Sequence, residues 1–299
     1  MTYFFFIVFL FVSILIKIPI FAIVGGIVFS LIFKTNNEFI SKKYSSVIIQ
    51  TGVVLLGFSI NYQAAINSSL QYIPVISIFV VLTFILVFLL GLSLKIDKNY
   101  SLLVASGSSI CGGTAMVSLA PIIKSKNEDL ATALSIIFFL NAIGIILFPF
   151  LGQLLNLSQI QFGAWVATVI HDTSAVIGAS MSYGYESLET ASTLKLGRTL
   201  WLIPLITLIS INQGRDKKYF SVPMFVIFFI TAIILGSYFN MPIEKEMIRH
   251  ISQIIFLTGL FSIGTQISFK NLKNIDKNKL LDPIISWIVI MLFGFFIVF

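Results

Sequence analysis

The chain has 299 residues, of which 58% are hydrophobic, only 10% are charged and 30 are Phe. A soluble domain is about 45–50% apolar and about 25% charged, so this composition excludes an ordinary globular enzyme and indicates an integral membrane protein. In such a protein the net charge of +7 is explained by Lys and Arg in cytoplasmic loops, and nucleic acid is not expected as a partner.

Apolar runs divide the chain into eleven candidate membrane segments. They lack the alternation of a β-barrel, so we predict an all-α integral membrane protein. The first two runs are separated only by Lys17 and Pro19 and could form one kinked helix, which leaves 10–11 transmembrane helices open. The segments fall at about 3–16, 18–33, 45–60, 72–94, 101–123, 130–151, 161–184, 188–211, 220–239, 249–268 and 280–299.

The Lys and Arg residues are distributed unevenly between alternate connections of the eleven-helix arrangement. One set of connections holds 12 of these residues: Lys34, Lys42, Lys43, Lys95, Lys98, Arg215, Lys217, Lys218, Lys270, Lys273, Lys277 and Lys279. The opposite set holds 5: Lys17, Lys124, Lys126, Lys245 and Arg249. Since positive charge marks cytoplasmic loops, we expect a cytoplasmic N-terminus and an external C-terminus. If the first two runs form one helix, the N-terminus is external and the rest of the topology is unchanged.

Two parts of the chain correspond in sequence, 17–21 with 221–225 and 51–60 with 258–267. In the eleven-helix count the second copy starts seven helices later and is therefore inverted, which is typical of secondary transporters. Unrelated helices that pack through small residues are the alternative. The glycines that mark the repeats are Gly52, Gly57, Gly259 and Gly264. We predict one membrane domain, 1–299, with inverted repeats at about 18–94 and 220–299 and a central helical part at about 101–211.

Two segments, 105–115 and 167–180, are too polar and too rich in small residues for lipid-facing helices. Gly weakens a helix by roughly 1 kcal/mol relative to Ala, and hydroxyl groups compete for backbone partners, so we predict discontinuous helices there. Tight packing through small residues is the alternative. Free N–H groups at the start of a half-helix suit an anion. The residues predicted to bind it in these segments are Ser109, Cys111, Gly112, Gly113, Thr114, Thr173 and Ser174.

Four ionisable residues lie at membrane depth: His171, Asp172, Lys195 and Arg198. Such residues are costly in lipid and usually mark a pathway. Asp172 could cap a helix that begins at Thr173, which leaves His171 to titrate, and we predict this pair as the ion-coupling residues. Lys195 and Arg198 share a helix face and predict anion attraction; salt bridges to Asp172, Glu186 or Glu189 are the alternative.

One Cys and two His exclude a disulfide framework and are too few for a zinc site of their own. We therefore expect no metal and no cofactor. No nucleotide-binding loop occurs, which argues against direct use of ATP.

Several motifs, in the same order and at similar spacing, resemble the YeiH-like family of proposed sulfate exporters. They lie at 52–58, 109–115, 120–124, 170–172, 195–198 and 263–265, and the resemblance covers nearly the whole chain from about residue 18. It implies a multi-pass protein of the bacterial inner membrane, related in fold to the cation/proton antiporter and bile-acid symporter group. Inverted repeats and discontinuous helices belong to that fold.

The sequence departs from the family pattern at three positions. The family has His-Glu with a Gln three residues beyond the Glu, whereas this chain has His171-Asp172 followed by Ala175, and Ser59 replaces an Arg. The family roles carry over to His171, Lys195, Arg198 and the glycines, and less directly to Asp172.

We therefore predict a secondary active transporter, by resemblance an exporter, of a small anion such as sulfate, coupled to protons or a cation. The expected partners are the anion and the lipid bilayer, and a homodimer is also compatible with the sequence. One alternative is an intramembrane hydrolase with a Ser or Cys nucleophile and His171 as base, although the chain contains no G-x-S-x-G motif. A channel or a structural subunit is the other.

Overall fold

The computed structural model of the chain describes residues 2–33, 40–212, 224–239, 243–266 and 276–299. Within these ranges the regular structure is helical and no strand occurs. The helices are α1 (Thr2–Ile16), α2 (Pro19–Phe33), α3 (Ile40–Gly57), α4 (Tyr62–Ser93), α5 (Lys98–Ser109), α6 (Gly113–Ile123), α7 (Asn127–Leu154), α8 (Gln159–Val169), α9 (Thr173–Tyr183), α10 (Tyr185–Thr199), α11 (Leu202–Asn212), α12 (Met224–Tyr238), α13 (Lys245–Gly264) and α14 (Lys277–Val298).

The predicted all-α membrane fold is confirmed. Five helical elements in the described ranges are long and apolar enough to cross a bilayer: α4, α7, the pair α10 and α11, α13, and α14. Large apolar side chains also cover the outside of the molecule, where Leu70 is 73% exposed and Phe296 is 77% exposed. A surface of this kind is stable in lipid and unfavourable in water.

Local side chains fix where several helices begin. Asn61 Oδ1 accepts from the Ala64 amide at 3.1 Å before α4. Ser158 and Gln161 form a capping box before α8, in which each side chain accepts from the other residue's backbone N–H. Each contact satisfies an amide that has no partner inside its helix.

The predicted break in the first small-residue segment separates α5 from α6, and the chain reverses there. Asn99, near the start of α5, donates through Nδ2 to the carbonyl of Ile123 at the end of α6, at 3.2 Å. Farther along the pair, a Cβ on Gly107 would meet the side chain of Met116. The two half-helices are therefore antiparallel, and they form a hairpin (hairpin 1) with its tip at 110–112.

The second predicted break produces the same arrangement from the opposite end of the molecule. The rings of Phe162 in α8 and Tyr183 in α9 stack with centroids 3.9 Å apart, and Tyr183 Oη donates to the carbonyl of Leu157 at 2.5 Å. Both contacts join the start of α8 to the end of α9. We call this pair hairpin 2; its tip lies at 170–172.

Hairpin 1 changes the predicted charge distribution. Because α5 and α6 return to the end from which they entered, Lys124 and Lys126 lie on the same side as Lys95 and Lys98. The majority set of Lys and Arg residues rises from 12 to 14 and the minority set falls from 5 to 3. Two of the eleven segments, 101–123 and 161–184, are hairpins, which leaves nine candidates for full crossings. Parts of this count lie outside the described residues, at Lys34, Arg215, Lys217, Lys218, Lys270 and Lys273.

The helices form two groups. The first, which we call the panel, consists of α1, α2, α3, α12 and α13, which pack mainly on one another. The second, which we call the hairpin bundle, contains the other nine helices, and it meets the panel through a few pairs such as α9 with α13 and α2 with α7. Cavities that lie between the two groups are therefore lined by residues of both.

Contacts between α3 and α13 follow the predicted sequence correspondence. A Cβ on Gly52 would meet Phe256, and a Cβ on Gly259 would meet Ile49; both Gly52 with Gly259 and Ile49 with Phe256 are 207 residues apart. Gly57 and Gly264 are the last residues of their helices. These reciprocal contacts agree with an inverted repeat, whose boundaries stay a prediction. Of the corresponding segments, residues 221–223 and Ile267 lie outside the described part of the chain.

Candidate functional site

The tips of the two hairpins meet inside the hairpin bundle. Gly112 has φ 61° and ψ −121°, and a Cβ at this position would lie 3.3 Å from the Cβ of Asp172. A backbone with positive φ favours glycine, and the close approach leaves little room for a side chain. The tip of hairpin 1 therefore requires Gly112 for two independent reasons.

Arg198 of α10 binds the carbonyl ends of both hairpins. Its side chain is fully buried. Nε donates to Ser109 O at 2.8 Å and Nη2 to Ser108 O at 2.7 Å, while Nη1 lies 2.7–3.1 Å from the carbonyl oxygens of Ala167, Thr168 and Ile170. The last carbonyls of a helix lack partners inside it and carry partial negative charge. The guanidinium satisfies these groups at the ends of α5 and α8.

Lys195, one turn before Arg198, serves the same carbonyl ends. Its ammonium group is fully buried and donates to the carbonyls of Ile110, Ile170 and His171 at 3.1, 2.7 and 2.6 Å. An ammonium has three donors, and all three are used. Within the described residues, neither cation lies within 4 Å of a carboxylate. The sequence alternatives of salt bridges to Asp172, Glu186 or Glu189 are therefore not formed.

The amide ends of the hairpins face the other way, toward a cavity. Helices α6 and α9 both begin at the tips, and Asp172 caps α9 by accepting from the Ser174 amide at 2.9 Å. The cavity has a volume of about 390 Å³ and lies between hairpin bundle and panel. Its walls combine hydroxyl, amide and carboxylate groups with apolar side chains: Ser45, Ser46, Gln50, Gly113, Thr114, Val117, Ser118, Leu134, Phe138, Asp172, Ser174, Ile263 and Gln266.

His171 and Cys111 are enclosed within the tips. His171 is fully buried, and neither ring nitrogen has a hydrogen-bond partner among the residues that the structure describes. Cys111 is 2% exposed. Neither residue lines the cavity. In the described ranges, no three His, Cys, Asp or Glu side chains cluster in a way that could hold a metal ion.

The predicted site residues thus fall into four sets. Gly113, Thr114, Asp172 and Ser174 line the cavity, and Gly112 and Thr173 lie beside it at the starts of α6 and α9. Ser109, Lys195 and Arg198 meet on the carbonyl side, and Cys111 and His171 are buried in the tips. The repeat glycines Gly52, Gly57, Gly259 and Gly264 lie at close helix contacts of the panel.

Sequence reasoning missed the polar residues that reach the cavity from other helices. Ser45, Ser46 and Gln50 come from α3, Gln266 follows α13, and Ser118 lies one turn beyond Thr114 on α6. The available signal was the i, i+4 spacing of Ser46 with Gln50 and of Thr114 with Ser118 inside apolar runs. That signal is weak, because single Ser and Gln residues are also common on helix surfaces.

Comparisons with known proteins point to one family. The profile of the family described as Conserved hypothetical protein 698 matches residues 7–282. A UPF0324 membrane protein of Bacteroides thetaiotaomicron is 36% identical over 277 residues, which cover 92% of this chain and 84% of the relative. A UPF0324 membrane protein of Shewanella oneidensis is 38% identical over 245 residues, which cover 81% of this chain and 77% of the relative. No solved structure matches the chain at a significant level.

Proposed function

This chain belongs to the Conserved hypothetical protein 698 family of membrane proteins, which is the YeiH-like family that its motifs predict, and we propose that it is a secondary active transporter of a small anion. The proposed substrates are small anions such as sulfate, and the proposed location of the protein is the bacterial inner membrane. Transport is coupled to the movement of protons or a cation. Asp172, which faces the cavity, and His171, which adjoins it in the chain, are the proposed coupling residues.

The observation that carries this proposal is the cavity at the starts of α6 and α9. Backbone N–H groups and the positive end of a helix dipole stabilise an anion, and here two helix starts face one cavity. Hydroxyl and amide groups of Thr114, Ser118 and Gln50 add donors. In secondary transporters, broken helices commonly supply such sites near the middle of the membrane.

Charge favours the same substrate class. Lys195 and Arg198 are both buried at the tips, whereas Asp172 is the single acidic residue on the cavity wall among the described residues. The two cations contact carbonyl groups, so we propose that they act on the anion through the electrostatic field and by holding the tips together. This role differs from the direct anion contact that sequence reasoning suggested.

The cavity opens toward the cytoplasm in this proposal. Ser45 lies near the start of α3 and Gln266 follows the end of α13, next to the Lys-rich connections at 34–43 and 267–279. Because Lys-rich connections are cytoplasmic, an anion would reach the cavity from inside the cell.

The test is anion flux into proteoliposomes that contain only the purified protein. Transport predicts saturable flux that depends on an imposed proton or cation gradient. Thr114→Val removes a donor from the cavity and should raise the half-saturating anion concentration about tenfold or more, with little change in folding stability. Thr231→Val, on the outer face of α12, is the matched control and should behave like wild type. Absence of flux across a broad anion panel would contradict the proposal.

Hydrolysis receives no support from the geometry of the tips. An activated nucleophile donates a hydrogen bond to its base, yet no Ser or Cys side chain in the described residues donates to His171. Labelling by serine or cysteine activity probes, combined with absent flux, would restore the hydrolase alternative. Unsaturable conductance would instead indicate a channel.

A further inference from the structure

Asn141, in the middle of α7, is a buried amide without a partner. It is 4% exposed, and neither Oδ1 nor Nδ2 has a hydrogen-bond partner among the described residues. Burying an unsatisfied polar group is unfavourable, and native proteins rarely leave one. A ligand that uses this amide would remove the cost.

A second, much smaller cavity lies beside Asn141. Its volume is about 10 Å³, which is close to the minimum space for one water molecule or one dehydrated ion. Three of its lining residues are polar, Asn141, Asp172 and Ser174. The others are apolar and come from both the panel and the hairpin bundle: Ile23, Phe138, Ala142, Ile145, Ala175, Leu260 and Ile263.

The charge of this small cavity selects a cation. Asp172 is the one ionisable residue among its lining residues, and it is acidic. The carboxylate of Asp172, the amide oxygen of Asn141 and the hydroxyl of Ser174 are hard oxygen donors, which suit a hard cation better than a soft transition metal. A single carboxylate balances a single positive charge. A divalent cation such as Ca²⁺ takes six to eight oxygen ligands, which this space and wall do not supply.

We propose that Asn141, Asp172 and Ser174 bind one monovalent alkali cation, with Na⁺ as the representative ion. Asp172 lines both this cavity and the larger one, so a bound cation neutralises the carboxylate that faces the anion. Binding of the cation and of the anion therefore favour each other, and this coupling is reciprocal. The coupling step rests on the proposed function; the cation site itself does not.

The experiment measures cation binding by the purified full-length protein without sulfate or any gradient. NaCl, LiCl or KCl replaces N-methyl-D-glucamine chloride at constant ionic strength and pH, and both thermal unfolding and binding of ²²Na⁺ are recorded. We expect saturable binding and a higher unfolding temperature in one alkali cation. Asn141→Leu and Asp172→Asn should each weaken binding by at least ~10-fold, since even loss of a residue that only supports a metal ligand weakens binding by ~10–100-fold.

Thr83→Val is the matched control, because Thr83 is 1% exposed, its hydroxyl also lacks a partner in the described residues, and it does not line the small cavity. It should keep wild-type cation binding. Asn141→Asp keeps the size of the side chain and adds a second negative charge, so it should tighten binding of the alkali cation and increase the stabilisation, a gain that misfolding cannot mimic. No cation-specific binding or stabilisation in wild type, or Asn141→Leu binding as tightly as wild type, would overturn the site.

The two proposals fail separately. Cation binding without anion flux would refute transport and keep the site. Anion flux driven by protons alone, with no alkali cation bound, would refute the site and keep transport.

Discussion

The carbonyl side and the amide side of the contact between the two hairpins differ in whether their backbone polar groups already have protein partners. On the carbonyl side, Lys195 and Arg198 donate to seven different carbonyl oxygens at the ends of α5 and α8. On the amide side, the starts of α6 and α9 face an open cavity. The same two breaks therefore produce one side that is filled by protein and one that is available to a ligand.

Buried cations in a membrane protein can serve the backbone instead of a substrate. Carbonyl groups at membrane depth cannot rely on water, so donors from α10 satisfy them permanently. An anion would compete poorly for Lys195 and Arg198, which already have partners. Groups that bind a substrate must instead be free when the substrate arrives, and the amide ends with Thr114 and Ser118 meet that requirement better.

Cysteine accessibility should give an all-or-none result on whether hairpin 1 is re-entrant, that is, whether it enters and leaves the membrane on the same side. We replace Cys111 by Ser and introduce single cysteines as Lys98→Cys, Lys126→Cys and Gln153→Cys, all at exposed positions. An impermeant thiol reagent should label the first two from one side and the third from the other. Simple alternation of eleven helices predicts instead that Lys98→Cys and Gln153→Cys share a side. That second pattern would remove the hairpin and, with it, the contrast between its two sides.

Next in size is the effect of Arg198→Gln on the carbonyl side. The change removes hydrogen bonds to five carbonyl groups, of which only that of Ile170 keeps a side-chain donor, from Lys195. We expect a loss of about 3–5 kcal/mol in stability together with loss of transport. Thermal unfolding in detergent and anion flux measure the two effects. Arg198→Lys keeps the charge and should recover part of both. If Arg198→Gln unfolds at the wild-type temperature and loses only affinity for the anion, the guanidinium contacts the substrate directly.

The smallest expected effect concerns Gly112→Ala at the point where the tips meet. Positive φ and the proximity of Asp172 predict a destabilisation of about 1–3 kcal/mol and reduced transport, since Asp172 must shift. Gly144→Ala in α7 is the matched control, because its Cβ would make ordinary contacts with Phe148. Equal unfolding temperatures for the two variants would show that the tips are less closely packed than the geometry indicates.

Much of the site was predictable, and the limits are physical. Clusters of Gly, Ser and Thr located both breaks, because small residues that compete with helix formation are rare in lipid-facing helices. Their position deep inside an apolar run identified Lys195 and Arg198 as candidate functional residues. Their partners could not be predicted, since the carbonyls that they contact lie 24 to 90 residues away in the chain. Asn141 gave no local signal, because one amide in an apolar helix is equally compatible with ordinary helix packing.

The amino-acid sequence was enough to predict a membrane protein, its all-α class and the positions of the two breaks, because composition and local backbone preference act over a few residues. The family followed from the order and spacing of the motifs. Only the folded structure shows that the broken segments reverse, that the cations face carbonyls and that the amide ends face a cavity. These features depend on which helices meet, and apolar helices of similar composition carry little information about their neighbours until their small and polar residues are brought together.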